Sequence, residues 1–271
     1  MQFDGLRVLS LESRRSAEIE KLIRARGGDA FVAPSMREVP LQDNPQALAF
    51  AERLFAGEFD MVILLTGVGA RLLNQIIETK HPTGSFVEAL RKVAVVVRGS
   101  KPLAVMREWG VPVAVMVPEP NTWREILAAT EGRAGRRVAV QEYGRPSQEL
   151  IDGLRARGLE VTSVQVYQWA LPEDLGPLQE AARRLAAGEI DVLLVTSSAQ
   201  VEHLLKVAAD VGLEDEVRKA CGRVVMASIG PTTSETLAEL GFRADFEPSH
   251  PKMGLLVNES AREARRLLQS K

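Results

Sequence analysis

Residues 224–242 read VVMASIGPTTSETLAELGF. The run 224–229 is apolar and of strand length, and Gly230 and Pro231 punctuate it. Thr232-Thr233-Ser234 then opens a segment with Leu237 and Leu240 three residues apart and Gly241 behind them. That order spells strand, tight turn, N-cap, helix and C-cap. A glycine turn with hydroxyl residues at a helix start leaves backbone N–H groups pointing outward beside the positive end of the helix dipole. Carboxylates and phosphates bind in such places. The same pattern also describes an ordinary β–turn–α corner.

A second copy of the stretch lies 131 residues upstream, where Gly99 and Gly110 stand for Gly230 and Gly241. The same offset carries Arg184-Leu185 onto Arg53-Leu54, Ala187-Gly188-Glu189 onto Ala56-Gly57-Glu58, and Asp191 onto Asp60. It carries Ser197 onto Thr66, Pro251 onto Pro120, and Arg155-Ala156-Arg157-Gly158 onto Arg24-Ala25-Arg26-Gly27. Arg145, Ser147 and Glu149 fall on Arg14, Ser16 and Glu18. One ungapped offset serves most of the chain, so the protein is a tandem duplication.

A chain of 271 residues accommodates two domains, each able to bury a core. The formal net charge of −2 removes any bulk electrostatic case for nucleic acid or a membrane surface. The cations are mostly arginine, which suits planar carboxylate recognition. A single cysteine, Cys221, excludes a disulfide framework and a cysteine metal cluster, and is expected to be buried before a strand. His81, His203 and His250 are scattered without metal-ligand spacing. The N-terminus, MQFDGLRVLS, carries Asp4 and Arg7, and no apolar run is of spanning length. A cytoplasmic protein is expected.

Strands are predicted at 6–10, 30–33, 61–65, 93–97 and 113–117 in the first half. In the second they fall at 138–140, 161–166, 192–196, 224–229 and 244–246, with helices between. Five parallel strands per half predict two flavodoxin-like, three-layer αβα domains. The continuous apolar runs MVILL, VAVVV and VLLV fit sheets covered on both faces. Ligands of such sheets bind at the carboxyl ends of the strands, where Thr66, Gly99, Ser197 and Gly230 fall. Two arrangements satisfy the local pattern. The domains follow the halves in series, or the first strand–helix–strand unit of each half changes places, with connectors near 34–40 and 166–172.

The chain resembles the uroporphyrinogen-III synthase family over nearly its whole length. The resemblance rests on Ala227-Ser228-Ile229-Gly230-Pro231-Thr232-Thr233 before a helix ending in Gly241, on Val195-Thr196-Ser197-Ser198, on Val164-Gln165-Val166-Tyr167-Gln168, and on Arg155-Ala156-Arg157-Gly158 before a strand. It implies the exchanged arrangement, with residues 1–35 and 168–271 forming one domain and 36–167 the other. It also implies closure of linear hydroxymethylbilane to uroporphyrinogen III with loss of water and inversion of the last pyrrole ring, without metal or cofactor. A monomer acting on a small polycarboxylate, with no nucleic-acid or membrane partner, is expected. Duplicated α/β lobes joined by crossing connectors also build bilobal small-molecule receptors or regulators, which is the rival reading.

The substrate implied by the resemblance carries an acetate and a propionate on every pyrrole. A cleft between two sheets would meet it with helix-start N–H groups and hydroxyls. The candidates are Thr66-Gly67, Gly99-Ser100-Lys101, Ser197-Ser198, and Gly230 with Thr232 and Thr233. Asn121-Thr122 and Lys252-Met253 follow the last strand of each repeat and join them. Each is equally an ordinary helix cap. The repeat-related Arg14 and Arg145 are candidates for carboxylate pairing, against a reading as solvated loop charges. The resemblance places a functional tyrosine at Tyr167, whose phenol would hydrogen-bond the departing hydroxyl; otherwise it is a boundary aromatic with a wet hydroxyl. Two departures stand out. Where the family often has Thr-Arg-Pro after its first strand, this chain has Ser10-Leu11-Glu12, and Lys101-Pro102 replaces a hydroxyl at the first-half glycine turn.

Overall fold

The computed structural model describes residues 2–41, 44–133, 135–142, 144 and 147–271. In chain order the elements are β1 (Arg7–Ser10), α1 (Ser16–Ala25), β2 (Asp29–Val32), β3 (Arg37–Pro40), α2 (Pro45–Phe55), β4 (Met61–Leu64), α3 (Gly67–Glu78), α4 (Ser85–Leu90), β5 (Ala94–Val97), α5 (Ser100–Glu108), β6 (Val115–Met116) and α6 (Trp123–Thr130). There follow β7 (Arg137–Glu142), α7 (Gln148–Ala156), β8 (Glu160–Gln165), β9 (Tyr167–Ala170), α8 (Gly176–Ala186), β10 (Val192–Val195), α9 (Ser198–Asp210), α10 (Glu214–Cys221), β11 (Val225–Ser228), α11 (Pro231–Glu239) and α12 (Met253–Leu268). The 131-residue offset superimposes the core elements in order: β4 on β10, α3 on α9, β5 on β11 and α5 on α11.

The chain divides into two compact units, residues 1–37 with 170–271, and residues 38–169. The first unit holds a parallel sheet in the order β11-β10-β1-β2, and the second one in the order β6-β5-β4-β7-β8. Thus β1, from the first repeat, lies beside β10 from the second, with Val8 opposite Val192. Conversely, β7 of the second repeat lies beside β4 of the first, with Val138 opposite Met61. The two linking strands, β3 and β9, pair with each other in a two-stranded sheet.

Alternation along the strands builds three layers in each unit. In the first, Leu9, Leu193, Val195 and Met226 face the core of α8, α9, α10 and α11, while Val8, Val192, Leu194 and Val225 face α1 and α12. In the second, Val62, Leu64, Val95 and Val97 face α2 to α5, and Met61, Ile63, Val96 and Val140 face α6 and α7. These side chains are essentially inaccessible, each contributing about 1.5–3 kcal/mol of burial.

One aspartate per unit fastens the exchanged strand. Asp191 Oδ2 accepts from Arg7 N at 2.8 Å and Nε at 3.0 Å, and its Oδ1 accepts from Nη2 at 2.7 Å. Its repeat partner Asp60 accepts from Arg136 N and Arg137 N at 2.8 and 2.9 Å. Both carboxyls are held below the ordinary range, Asp191 chiefly by the Arg7 side chain and Asp60 by the two backbone donors.

Some sequence expectations are corrected. The strand expected at 244–246 is a single bridge between Phe246 and Ala227. Pro248 follows it without an N–H to extend the ladder. The strand expected at 113–117 shrinks to β6 between Pro112 and Pro118. Helix α11 starts earlier than its hydroxyls suggest: Gly230 is the N-cap, Pro231 occupies the first turn, and Thr232-Thr233-Ser234 lie inside the helix. Cys221 is buried, as the last residue of α10.

Candidate functional site

Each sheet is wound outward in both directions from one pair of strands, β1 and β10 in the first unit and β4 and β7 in the second. Beyond the carboxyl ends of such a pair the two connections diverge and leave a crevice, the usual ligand position of an open α/β sheet. In the second unit Thr66, Gln141 and the Tyr167 hydroxyl meet at this point. Thr66 is the N-cap of α3; its Oγ1 accepts from Gly69 N at 2.9 Å and lies 3.5 Å from Tyr167 Oη. Gln141, at the end of β7, accepts from Thr66 N through Oε1 at 3.3 Å. The start of α5 lies against that of α3, since a Cβ on Gly67 would sit 2.9 Å from the Lys101 carbonyl oxygen.

Tyr167 differs from the wet boundary aromatic of the sequence reading. It is 2% exposed and its ring belongs to the core of α2, α3 and the β4 sheet. Only its hydroxyl end is directed to the polar rim at Thr66.

In the first unit Ser197 caps α9, and Gln200 Oε1 accepts from Thr196 N at 2.9 Å and Ser197 N at 3.2 Å. Gln200 Nε2 donates to Thr196 Oγ1 at 2.8 Å, and Thr196 Oγ1 donates to the Glu12 carboxylate. Glu12 also accepts from Arg14 N and Arg15 N at 3.1 and 3.2 Å, so the acid standing in the departed Thr-Arg-Pro segment holds the turn into α1. Beside α9, Ser228 Oγ bridges Gly230 N and Gly230 O at the start of α11. A Cβ on Gly230 would lie 3.5 Å from Pro251 Cβ, next to the start of α12.

Eight of the described helix starts fall into two groups. Three are occupied by the chain's own carboxylates: α1 by Glu12, α7 by Glu142 through Ser147 N at 2.8 Å, and α6 by Glu125. Glu125 takes the N–H of Thr122 at 2.8 Å and its hydroxyl at 2.6 Å. Burial pushes the Glu125 carboxyl up, but these two bonds outweigh it and hold it below the ordinary range. The first turns of α3, α5, α9, α11 and α12 carry no acidic residue. They keep the positive end of the dipole at these starts.

The candidates therefore separate. Thr66, Gly67, Gly99, Ser100, Lys101, Ser197, Ser198, Gly230, Thr232, Thr233, Lys252 and Met253 all lie at acid-free helix starts, with Lys101 exposed on the first turn of α5. Thr122 is engaged by Glu125. Asn121, at φ 60°, turns its amide to donate to the Arg98 and Val117 carbonyls, packed where a Cβ on Gly99 would press. Arg14 is exposed, and Arg145 lies outside the described residues. Gln141, Gln200 and Glu125 are absent from the sequence reading. Two had a signal in the three-residue spacings Ser197–Gln200 and Thr122–Glu125, which match the capping box. Gln141 had none, because its partner is on a distant strand. Among the described residues no His, Cys, Asp and Glu are grouped to hold a metal ion, and no helix is long and apolar enough to cross a membrane.

Fold and rim together define a duplicated α/β protein whose two doubly wound sheets each present hydroxyls and open helix starts at a switch point. The family described as uroporphyrinogen-III synthase HemD matches residues 17–258. A Methanothermobacter thermautotrophicus protein assigned the same enzyme's name is 33% identical over 233 residues, covering 85% of this chain and 87% of that one. A Bacillus subtilis protein, the uncharacterized protein YjjA, is 29% identical over 95% of this chain and 96% of its own. A crystallised variant of uroporphyrinogen III synthase from Thermus thermophilus shares the fold, with a TM-score of 0.73 at 24% identity, covering 98% of this chain and all of that one. The chain belongs to the uroporphyrinogen-III synthase family. Its activity is the cyclisation of hydroxymethylbilane in tetrapyrrole biosynthesis, that of a cyclising lyase acting on a small molecule.

Proposed function

We propose that the open helix starts of α3, α5, α9, α11 and α12 bind the carboxylates of hydroxymethylbilane, and that Tyr167 hydrogen-bonds its departing hydroxyl. The supporting observation is the Tyr167 hydroxyl, 3.5 Å from Thr66 Oγ1 at the rim of the second sheet, beside a helix start without an acidic residue. A pyrrole nitrogen expels the neighbouring hydroxyl readily, so the harder task is geometric. The chain must hold the linear tetrapyrrole so that its last ring is attacked at the substituted carbon. Backbone donors at five helix starts suit that task, because they grip carboxylates without conformational freedom of their own. A phenol donates a hydrogen bond to the leaving oxygen at neutral pH. The second domain is taken as 36–167, and 1–35 with 168–271 as the first. Action as a monomer in the cytoplasm belongs to the same proposal, and the lone buried Cys221 suits a reducing compartment.

The test is a coupled assay with the enzyme that makes hydroxymethylbilane. Isomer III in excess of the spontaneous isomer I is expected. Isomer I alone, from folded protein, refutes the proposal.

A further inference from the structure

The two rims reach the same arrangement by opposite routes. The offset of 131 carries Gly69 onto Gln200, while the strand registers, Ser10 with Leu194 and Val140 with Ile63, set Leu11 in the place of Gln141. In the second unit the glutamine comes from the strand, and the helix position facing it is glycine; a Cβ on Gly69 would lie 2.0 Å from Gln141 Nε2. In the first unit the glutamine comes from the helix, and the corresponding residue past the strand end is the buried, apolar Leu11. Either way a carboxamide oxygen ends on the same backbone donor, Thr66 N or its equivalent Ser197 N. Both side chains are buried, at 1% and 2% exposure.

A carboxamide satisfies a helix-start N–H without adding a charge. A carboxylate in the same place would neutralise the positive end of the dipole and repel an anion. This chain does use carboxylates at α1, α6 and α7, and Glu12 also reaches the Thr196 hydroxyl, but the Thr66 and Ser197 N–H groups themselves are met by carboxamides. We propose that Gln141 and Gln200 are positioning residues that hold the first turns of α3 and α9 while leaving their charge for a substrate carboxylate. The assignment rests on the substrate-binding reading above and adds which residues set the charge of that site.

The test compares Gln141→Glu and Gln200→Glu with Val68→Asp and Ser198→Asp, which place a carboxylate on the first turns of α3 and α9 without touching either glutamine. Steady-state formation of isomer III and thermal melting are measured for each full-length variant. All four are expected to raise KM for hydroxymethylbilane by roughly 10–100-fold, with kcat nearly unchanged. In the two glutamate variants the excess should shrink as pH falls toward the carboxylate range, a dependence a purely structural role does not produce. Gln141→Glu sets a carboxylate against the Glu142 carbonyl, which Gln141 Nε2 now meets as a donor, and is at risk of misfolding. Gln200→Glu would have to share the Thr196 hydroxyl with Glu12, so thermal melting decides which of the two glutamate variants carries the test. An independent arm moves the carboxamide: Gln141→Ser should raise KM, and adding Gly69→Gln, which puts the glutamine on the helix as in the first unit, should restore it to within about threefold. If the aspartates raise KM and the folded glutamate variant does not, the glutamine assignment is overturned and the substrate-binding reading stands. If none of the four raises KM, the substrate-binding reading itself falls.

Discussion

Replacing Asp191 by asparagine removes the charge that fastens β1 to β10 while keeping the volume. Three donors of Arg7 converge on this carboxylate at 2.7–3.0 Å, and its side chain is 17% exposed, against 41% for Arg7. A hydrogen bond to a charged group contributes about 1.5–3 kcal/mol when sheltered, and an exposed ion pair about 0.2–1 kcal/mol. The backbone bond is retained in part by the asparagine oxygen, and solvent screens the guanidinium, so the loss should be about 1–2 kcal/mol. Denaturant unfolding followed by circular dichroism, with the two units fitted separately, measures it. The Asp191 carboxyl is depressed in the folded state. Its contribution is therefore complete above the unfolded value near 3.9 and is lost as pH falls through the lower folded value. Wild type and Asp191→Asn should differ at neutral pH and converge in acid. Asp60→Asn, which lacks a guanidinium within hydrogen-bond range, should cost less. Loss below about 0.5 kcal/mol, or a gap that widens in acid, would refute the view that this pair anchors the exchanged strand.

Tyr167→Phe should slow isomer III formation by roughly 10–100-fold, toward the low end of general-acid effects, with isomer I taking a larger share of product; an unchanged rate removes Tyr167 from the chemistry. Thr66→Ala deletes the cap on Gly69 N and should cost about 0.5–2 kcal/mol, read by urea unfolding. Gly69→Ala should destabilise the second unit because its Cβ meets Gln141, and Gln141→Ala in the same chain should recover most of the loss. The Cys221 thiol is pushed up to about 12 by burial. It should resist alkylation at neutral pH in the native protein and react once unfolded, as mass spectrometry would show.

Much of the candidate site was legible because helix starts announce themselves locally. Gly99, Gly230, Thr66 and Ser197 follow apolar runs at one constant offset, and each does open a helix. What failed locally was the occupancy of those starts. Thr122 looked like Thr66 in sequence, yet Glu125 fills its N–H and hydroxyl. Tyr167 looked like a connector aromatic, and the core of α2 and α3 closes around its ring.

By itself, the sequence determined the duplication, from matches at one offset of 131 residues, and the alternation of strand and helix and the covering of both sheet faces, which depend on residue spacing within a few turns. The tertiary structure alone decided which repeat supplies β1 and β7 to each sheet. The strands LRVLS and RRVAV have interchangeable apolar patterns, and nothing within either one chooses a neighbour. The choice is made by contacts between residues far apart in the chain, Arg7 with Asp191 and Arg137 with Asp60, which meet only once the sheets exist.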